Sequence, residues 1–339
     1  MRIDEMLPIS TDGLLNALRA AGEPTRLRLL ALLAEGERSV KDLTDILGQS
    51  QPRISRHLKL LAESGLITRF AEGSWAFYRI ADAGPAGEIC REIVARLDRS
   101  DPVLARDRAR LEAVRRANAE VAARYFSAYA SRWDQIRSLH ANEQKIEAGL
   151  LQLVGEDKLG LVVDLGTGTG RMLEVFAPHT ERSIGVDVSH DMLSYARSRL
   201  EREGLRNCQL RQGDIYNPPL EDGIADLVVI HQVLHYLQDP DRAISEASRL
   251  LKPGGRLLVV DFAPHGLEFL RADQAHLRLG FSRKQIADWM KAAGVELSGQ
   301  VDFPPEHTDF AEIGRLTVSV WLGTDTGQRI PRGASEEAA

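Results

Sequence analysis

The sequence predicts an α/β protein of two globular domains joined through a helical linker. Its 339 residues are more than twice the ~150 typical of one domain, and 43% hydrophobic content is enough for two ordinary cores. Helical periodicity followed by a β-hairpin fills the first quarter of the chain. Beyond Gly160, apolar strands alternate with helices, which is typical of a mostly parallel sheet with helices on both faces.

The composition excludes several classes of protein. Charged residues make up 27% of the chain, and no apolar run reaches the ~20 residues of a membrane-spanning helix. The opening MRIDEMLPIS lacks the basic start of a signal peptide, so we expect a cytoplasmic protein. Cys90 and Cys208 are the two cysteines and lie far apart, which argues against a disulfide framework or a thiolate metal cluster.

Four short segments between residues 12 and 62 carry apolar residues at helical spacing. Breaks at residues 21–24, at Gly36 and at residues 48–50 separate them, which gives the spacing of a helix-turn-helix. After Gly65, the segment LITRFAEGSWAFYRI alternates on both sides of the turn Glu72-Gly73-Ser74. This pattern predicts a β-hairpin, or wing, after the helices.

The fourth predicted helix, residues 51–62, has a basic face. Its apolar residues fall on one side, which places Ser55, Arg56 and Lys59 on the other. Such a face fits the major groove of DNA, although a solvated charged surface has the same pattern. We predict DNA contacts from this helix and the hairpin at Gln51, Arg53, Ser55, Arg56, Lys59, Arg69 and Arg79.

Residues 14–80, which include EPTRLRLL and SQPRISRHLKLL, resemble the ArsR family of winged-helix repressors. The resemblance implies a homodimer that reads two half-sites of double-stranded DNA, with a helix over residues 88–97 as a possible dimer contact. Many members sense metals through a Cys-Val-Cys pair in the third helix. Because Ser39, Val40 and Lys41 occupy those positions, we expect no metal there.

From Glu88 to about Val154 the chain is rich in Ala, Leu, Arg and Glu, which predicts long helices that join the domains semi-rigidly. We therefore divide the chain into four parts. These are a DNA-binding domain at 10–83, the helical linker and possible dimerisation region at 84–124, a second domain at 125–323 and a disordered tail at 324–339.

A strand at residues 162–170, VVDLGTGTG, leads into a glycine-rich turn before the next helix. Its spacing, GxGxG, is one residue shorter than the GxGxxG that brings a helix onto a pyrophosphate. A zwitterionic ligand without phosphate fits better, so a dinucleotide-dependent oxidoreductase is disfavoured. Asp187 follows Gly166 by 21 residues and closes the second strand, where its carboxylate can accept both ribose hydroxyl protons.

With Gly213-Asp214-Ile215 and the later LLKPGGRLLVVDF, these motifs resemble the class I S-adenosylmethionine (SAM)-dependent methyltransferases over about residues 125–323. The resemblance implies a seven-stranded Rossmann-like sheet that binds SAM, with S-adenosylhomocysteine (SAH) as product or effector. The implied contacts are Asp164, Gly166, Gly168 and Gly170 for the methionine part, Asp187 for the ribose, and Met192, Asp214 and Ile215 for the adenine. A plain core role for Met192 is equally compatible with its position.

The segment IHQVLHY follows the fourth strand of this domain, where the methyltransferase fold faces its methyl acceptor. His231 is therefore our candidate base or substrate contact, the alternative being a hydrogen-bonded wall histidine. Arsenite methylation relies on several cysteine thiolates, and Cys208 is the one cysteine in this half, so we exclude it. The histidines further on show no ligand spacing, and we assign no metal.

These features are compatible with two alternative functions for the chain. The first is an ArsR-type transcriptional regulator in which a methyltransferase domain binds SAM or SAH and couples cofactor status to DNA binding. The alternative is an active methyltransferase that modifies a small molecule, with the DNA-binding half regulating its own operon. An intact cofactor motif is compatible with both.

Overall fold

The computed structural model describes residues 8–72, 75–81, 84–129, 143–155, 157–305 and 316–327. The chain divides into two compact units, Met1–Glu120 and Val121–Ala339. Within the described ranges, no helix is both long enough and apolar enough to cross a membrane. The predicted fold class, an α/β protein with an N-terminal winged-helix domain, is confirmed by the elements of the two units.

The first unit begins with the four predicted helices. Each of the first three starts with a side-chain cap, whereas Ser50 before the fourth makes no side-chain capping hydrogen bond. Ser10 accepts a hydrogen bond from Gly13 N, and Pro24 occupies the first position of the second helix. Ser39 and Asp42 form a reciprocal capping box. The helices are α1 (Thr11–Ala21), α2 (Pro24–Ala34), α3 (Val40–Leu47) and α4 (Gln51–Glu63).

A small antiparallel sheet completes the helix-turn-helix. Strands β2 (Ile67–Glu72) and β3 (Trp75–Ile80) form the predicted hairpin, with Glu72 opposite Trp75 at its tip. The turn residues between them lie outside the described residues. Strand β1 (Arg38–Ser39) pairs with β3, and the sheet order is β1-β3-β2. The sequence did not predict β1, since a two-residue strand has no periodicity to detect.

Helices α5 (Pro85–Ala95) and α6 (Pro102–Tyr129) follow the hairpin, in the segment predicted as a linker. Cys90 on α5 and Leu111 on α6 are fully buried, in the same apolar cluster as Leu29 and Ile54. The start of this segment therefore forms part of the core of the first unit.

The second unit alternates strands and helices as predicted. Its helices and strands are α7 (Glu143–Val154), β4 (Leu159–Leu165), α8 (Arg171–Phe176), β5 (Thr180–Asp187), α9 (His190–Arg202), β6 (Cys208–Gln212), β7 (Ala225–His231), α10 (Pro240–Leu250), β8 (Leu251–Phe262), α11 (Phe269–Asp273), α12 (Arg283–Ala292), β9 (Val295–Phe303) and β10 (Val318–Asp325). Of the predicted tail, residues 324 and 325 belong to β10 and residues 328–339 lie outside the described residues.

The seven strands form one sheet in the order β6-β5-β4-β7-β8-β10-β9. The pairings from β6 through β8 are parallel, and β10 lies antiparallel between β8 and β9. From the centre of the sheet, the strands lie in the order β4, β5, β6 towards one edge and β7, β8, β10, β9 towards the other. The carboxyl ends of β4 and β7 therefore form the topological switch point, where ligands bind in open α/β sheets.

Both faces of the sheet are covered by helices. Along β4, Val163 and Leu165 pack into one apolar cluster, while Val162 packs into the other. Because side chains alternate between the faces of a strand, this division places one core on each side of the sheet. The site at the carboxyl edge is thus built on a rigid scaffold.

Candidate DNA-binding surface and cofactor site

Helix α4 turns its apolar side chains inward and its basic side chains outward. Ile54, Leu58 and Leu61 are fully buried. The predicted contact residues Gln51, Arg53, Arg56 and Lys59 are exposed, and Ser55 is half-buried. These exposed side chains can donate hydrogen bonds to the acceptors on guanine edges and phosphates.

The hairpin arginines differ in their surroundings. Arg69 on β2 is exposed and lines a groove of about 480 Å³ with Lys59, Glu63 and Tyr78. Arg79 on β3 is mostly buried, and its Nη1 lies 3.2 Å from Oε1 of Glu37. Arg69 is therefore free to meet a ligand from solvent, whereas Arg79 is held within the unit.

His57 packs against the start of α2. Its Nδ1 lies 3.6 Å from Oε2 of Glu23, which also accepts a hydrogen bond from Arg26 N at 2.9 Å. Burial lowers the pKa of His57, and the cations Arg26, Arg53 and Arg56 lower it further against the opposing effect of Glu23. The imidazole is thus neutral near pH 7 and serves packing.

Ser39 occupies the position of the ArsR metal cysteine and has a structural task. Its hydroxyl donates to Asp42 Oδ2 at 2.8 Å and accepts from Asp42 N at 3.1 Å. This capping box satisfies backbone donors at the start of α3. In the described part of the chain, no group of three His, Cys, Asp or Glu side chains could hold a metal ion.

The glycine turn follows β4 directly. Gly166, Gly168 and Gly170 have φ angles of 75°, 51° and 82°, a left-handed region that side-chain-bearing residues rarely adopt. Gly166 N and Thr167 N both donate to Val186 O, at 2.8 and 3.0 Å. The turn is thereby tied to the end of β5, and Arg171 begins α8 immediately after it.

Asp187 closes the site from the neighbouring strand. Its Oδ2 accepts from Gly168 N at 2.8 Å, and its Oδ1 accepts from Ser189 N at 2.8 Å. Burial raises the pKa of Asp187, while the backbone N–H groups of Ser189, Gly168 and Val188 oppose that rise. Asp164, near the end of β4, is also buried. Two carboxylates and the glycine turn thus meet at one edge of the sheet.

The residues predicted for the adenine lie beside this edge in different environments. Asp214 is exposed after β6, and its Oδ1 accepts from Tyr216 N at 2.9 Å. Ile215 is partly buried and packs on the apolar cluster. Met192 is 2% exposed on α9, so core packing accounts for its side chain. Of these three residues, Asp214 is the one whose side chain is exposed and accessible to a ligand.

The side predicted to face a methyl acceptor lies at the carboxyl ends of β7 and β8. His231 is half-buried and pairs in register with Val260. Sequence reasoning missed a second feature there. His235 Nδ1 lies 2.7 Å from Asp261 Oδ1, and both side chains are buried. Asp261 lies near the end of β8 and His235 follows the end of β7 by four residues, but nothing in the sequence joins these positions, which are 26 residues apart.

Comparison with known families finds one matching segment in each unit. Residues 23–69 match the family described as "Bacterial regulatory protein, arsR family", and residues 163–259 match the family "Methyltransferase domain". The chain therefore contains an ArsR-family helix-turn-helix segment followed by a methyltransferase-domain segment. Both resemblances predicted from the motifs are confirmed.

Two curated relatives each match a part of the chain. The chain is 51% identical over 65 residues to the arsenical resistance operon repressor of Escherichia coli K12, covering 19% of the chain and 56% of the repressor. It is 34% identical over 104 residues to the uncharacterized methyltransferase YcgJ of Bacillus subtilis 168, covering 30% of the chain and 41% of YcgJ. The matched segment thus spans less than two thirds of either relative.

A solved structure shares the fold of the second unit. It is a chain of the complex between the Haloferax volcanii Trm112 methyltransferase activator and its methyltransferase partner. The likeness covers 62% of the present chain and all of that chain, with a TM-score of 0.52 and 21% identity. At this identity the comparison supports the fold alone.

Proposed function

We propose that this protein is a DNA-binding transcriptional regulator whose methyltransferase domain binds SAM or SAH, and that the bound cofactor changes the affinity for DNA. The observation that carries the proposal is the pairing, in one chain, of a basic recognition helix with a glycine turn closed by Asp187. Two ligand sites on one chain can be linked, and linkage is reciprocal.

The DNA side of the proposal rests on α4 and the hairpin. Arg56 and Arg53 extend from the exposed face of α4 and would pair with guanine edges or phosphates in the major groove. Gln51, Ser55 and Lys59 would add contacts along the same helix. Arg69 would contact the flanking backbone, while Arg79 would act by supporting the wing through Glu37.

A homodimer would explain the exposed apolar face of α1. Leu14, Leu15 and Leu18 lie on one side of this helix and are 37%, 41% and 48% exposed. Spacing of i, i+1 and i+4 gathers them into one stripe, which a second copy of the chain would cover. A twofold dimer reads two half-sites, which matches helix-turn-helix recognition.

The cofactor edge fits SAM by the chemistry of its donors and acceptors. The glycine turn lets the backbone approach a ligand closely, and Asp164 would hold the methionine ammonium. Asp187 would accept hydrogen bonds from the ribose hydroxyl groups. Asp214 and the backbone of Ile215 would contact the adenine. SAM bound there would supply an electrophilic methyl group at a sulfonium.

Helix α6 gives coupling a physical starting point within the first unit. Arg110 donates from Nη1 to Ile46 O at 3.1 Å, at the last turn of α3. That turn leads directly into α4, so displacement of α6 would disturb the recognition helix. Because α6 extends to Tyr129, it is the element through which the cofactor state would act.

The test is the affinity of the full-length protein for its own upstream DNA at fixed salt, measured without cofactor, with SAM and with SAH. We expect a change of ~5–150-fold on cofactor binding, and an equal change in cofactor affinity on DNA binding. Asp187→Ala should abolish the cofactor effect and leave cofactor-free DNA affinity as it was. An affinity that is the same in all three conditions would refute coupling.

Catalytic methyl transfer to a small molecule is the second candidate function. The observation that favours it is the turn after β7, where Gln232 has a left-handed φ of 52° beside His231. Backbone strain in a non-glycine residue is concentrated at functional sites. Radiolabelled SAM incubated with cell extract tests it, because label transfer that disappears in Asp187→Ala supports catalysis and no transfer into any fraction contradicts it.

A further inference from the structure

We propose that His235 and Asp261 form a positioning pair for methyl transfer. The pair fixes the acceptor turn, which we define as residues 232–236, against the glycine turn of the cofactor site. The inference rests on the methyltransferase activity proposed above and adds two residues that hold the acceptor side in place. Three sets of contacts carry it: the pair itself, the backbone it fastens, and the contact of the acceptor turn with Gly166.

The pair is buried and has specific geometry. His235 is 2% exposed and Asp261 is 0% exposed, and His235 Nδ1 lies 2.7 Å from Asp261 Oδ1. Oδ1 also accepts from Phe262 N at 2.8 Å, and Oδ2 accepts from His235 N at 3.4 Å. Because the buried carboxylate is surrounded by donors, it holds the imidazole as an Nδ1–H donor in one orientation.

The pair fastens the acceptor turn to two other segments. Asp261 belongs to β8, so its bonds to His235 join the turn to the neighbouring strand. The carbonyl of His235 accepts from Leu277 N at 2.9 Å and from Arg278 N at 3.0 Å. The ring centroid of His276 lies 4.3 Å from that of His235. The turn is therefore clamped between β8 and the segment after α11.

On its other side, the acceptor turn contacts the cofactor site. Val233 packs so closely on Gly166 that a Cβ on this glycine would lie 2.5 Å from Val233 Cγ2. Gln232 N donates to Val260 O at 2.7 Å while its φ is held at 52°. A strained residue persists only where its surroundings fix it, and the clamp at His235 supplies that restraint.

A positioning role separates catalysis from cofactor binding. The carboxylates proposed to bind SAM, Asp164 and Asp187, lie on β4 and β5, whereas the pair joins the end of β8 to the turn after β7. Loosening the pair would shift the acceptor relative to the methyl group. Since a displacement of about 1 Å can cost ~100-fold in rate, the turnover number should fall while SAH affinity is kept.

The experiment uses full-length protein, tritiated methyl-labelled SAM and the extract fraction into which wild type transfers label. Rates at saturating SAM are measured against the concentration of that fraction, and the Kd of SAH is measured by calorimetry. For Asp261→Asn and His235→Leu we expect kcat to fall by about 30–100-fold, with the Kd of SAH within about threefold of wild type. The double variant His235→Leu/Asp261→Asn should be no slower than the slower of the two single variants, because both changes break the same contact.

His235→Asn distinguishes positioning from proton transfer. Its amide N–H can replace the Nδ1–H donor to Asp261, but it cannot act as a base. A positioning pair predicts that this variant keeps kcat within about fivefold of wild type. The matched control is Asp226→Asn, at the amino end of β7, where Asp226 accepts from Leu161 N and Lys252 Nζ. It should transfer methyl groups at the wild-type rate.

Folding is checked by thermal melting, and the apolar double variant His235→Leu/Asp261→Leu is assayed if the single variants do not fold, since it leaves no buried charge unpaired. Folded variants with wild-type kcat would overturn the inference, as would a loss of SAH affinity equal to the loss of rate. Absence of transfer by wild type overturns the proposed activity and this inference together. Transfer at the wild-type rate in both folded single variants overturns this inference alone.

Discussion

Arg28 on α2 binds Asp107 on α6 through two parallel hydrogen bonds, Nε to Oδ2 at 2.5 Å and Nη2 to Oδ1 at 2.6 Å. Asp107 is almost fully buried, and its hydrogen bonds raise the pKa of Arg28. The bidentate pair joins residues 79 apart in the chain. It makes the start of α6 a structural part of the winged-helix unit rather than a free connector.

Replacing Asp107 should therefore destabilise the first unit. Asp107→Ala removes the carboxylate that satisfies a partly buried guanidinium, and we expect a loss of about 2–3 kcal/mol in the free energy of unfolding. Hydrogen exchange of α2 amides in urea measures it. The control Arg96→Ala, which removes an exposed helical pair with Glu92, should cost less than about 0.5 kcal/mol. Equal effects would contradict the structural role of the pair.

Asp187→Ala should weaken SAH binding by about 100-fold or more, because hydrogen bonds to a charged group contribute ~1.5–3 kcal/mol each and two ribose hydroxyls would lose their acceptor. Calorimetry with the purified protein measures the Kd. Asp288→Asn removes a surface carboxylate that pairs with Lys284 at 2.6 Å on α12, and should bind SAH like wild type. Unchanged affinity in Asp187→Ala would place the cofactor elsewhere.

Two arginines of the DNA surface should respond differently to truncation. Arg56→Ala should cost ~1–3 kcal/mol in DNA affinity and relax base choice at one position, since it lies on the exposed face of α4 that we propose enters the groove. Arg69→Ala should mainly lower the salt slope, by ~0.9 for each phosphate that its guanidinium neutralises in the wild type. Binding titrations at several salt concentrations separate the two, with exposed Arg99→Ala as control. Wild-type binding by Arg56→Ala would refute this orientation of α4.

His265 predicts a pH dependence of stability in the second unit. Burial lowers its pKa to about 4, and the neighbouring charges of His235 and Arg271 lower it while Asp261 and Glu268 raise it. The unfolded chain binds the proton near pH 6.5, so stability present above that pH is lost as the pH falls from 6.5 towards 4. Urea unfolding at several pH values tests this, and His265→Gln should flatten that part of the profile.

Disruption of the apolar stripe on α1 should produce monomers. Leu15→Glu and Leu18→Glu each place a charge in the proposed interface, and we expect both to sediment as monomers at concentrations where wild type is dimeric. DNA affinity should fall because a monomer reads a single half-site. Val301→Glu, at an exposed apolar position on β9, should leave the oligomeric state unchanged. A monomeric wild type would contradict the dimer.

Helix starts and the glycine turn could be predicted from the sequence, whereas contacts between residues far apart in the chain could not. The α2 and α4 helices were predicted because Pro24 and Ser50 mark their starts and apolar residues repeat at helical spacing. The glycine turn was predicted because φ angles of this kind strongly favour glycine, and three glycines at GxGxG spacing stand there in the sequence. The tie between Gly168 N and Asp187, by contrast, depends on the tertiary fold. So does the ion pair between Arg79 and Glu37, which turns a predicted DNA contact inward.

The position of β10 has a consequence for biosynthesis. This strand follows the other six in the chain, yet it lies inside the sheet, bonded to β8 on one side and β9 on the other. At ~5–20 residues per second, a ribosome takes on the order of tens of seconds to travel from the end of the first unit to β10. During that interval the first unit has been translated in full, while β8 keeps an open edge. A message truncated before residue 318 would therefore encode the winged-helix unit without a complete methyltransferase sheet.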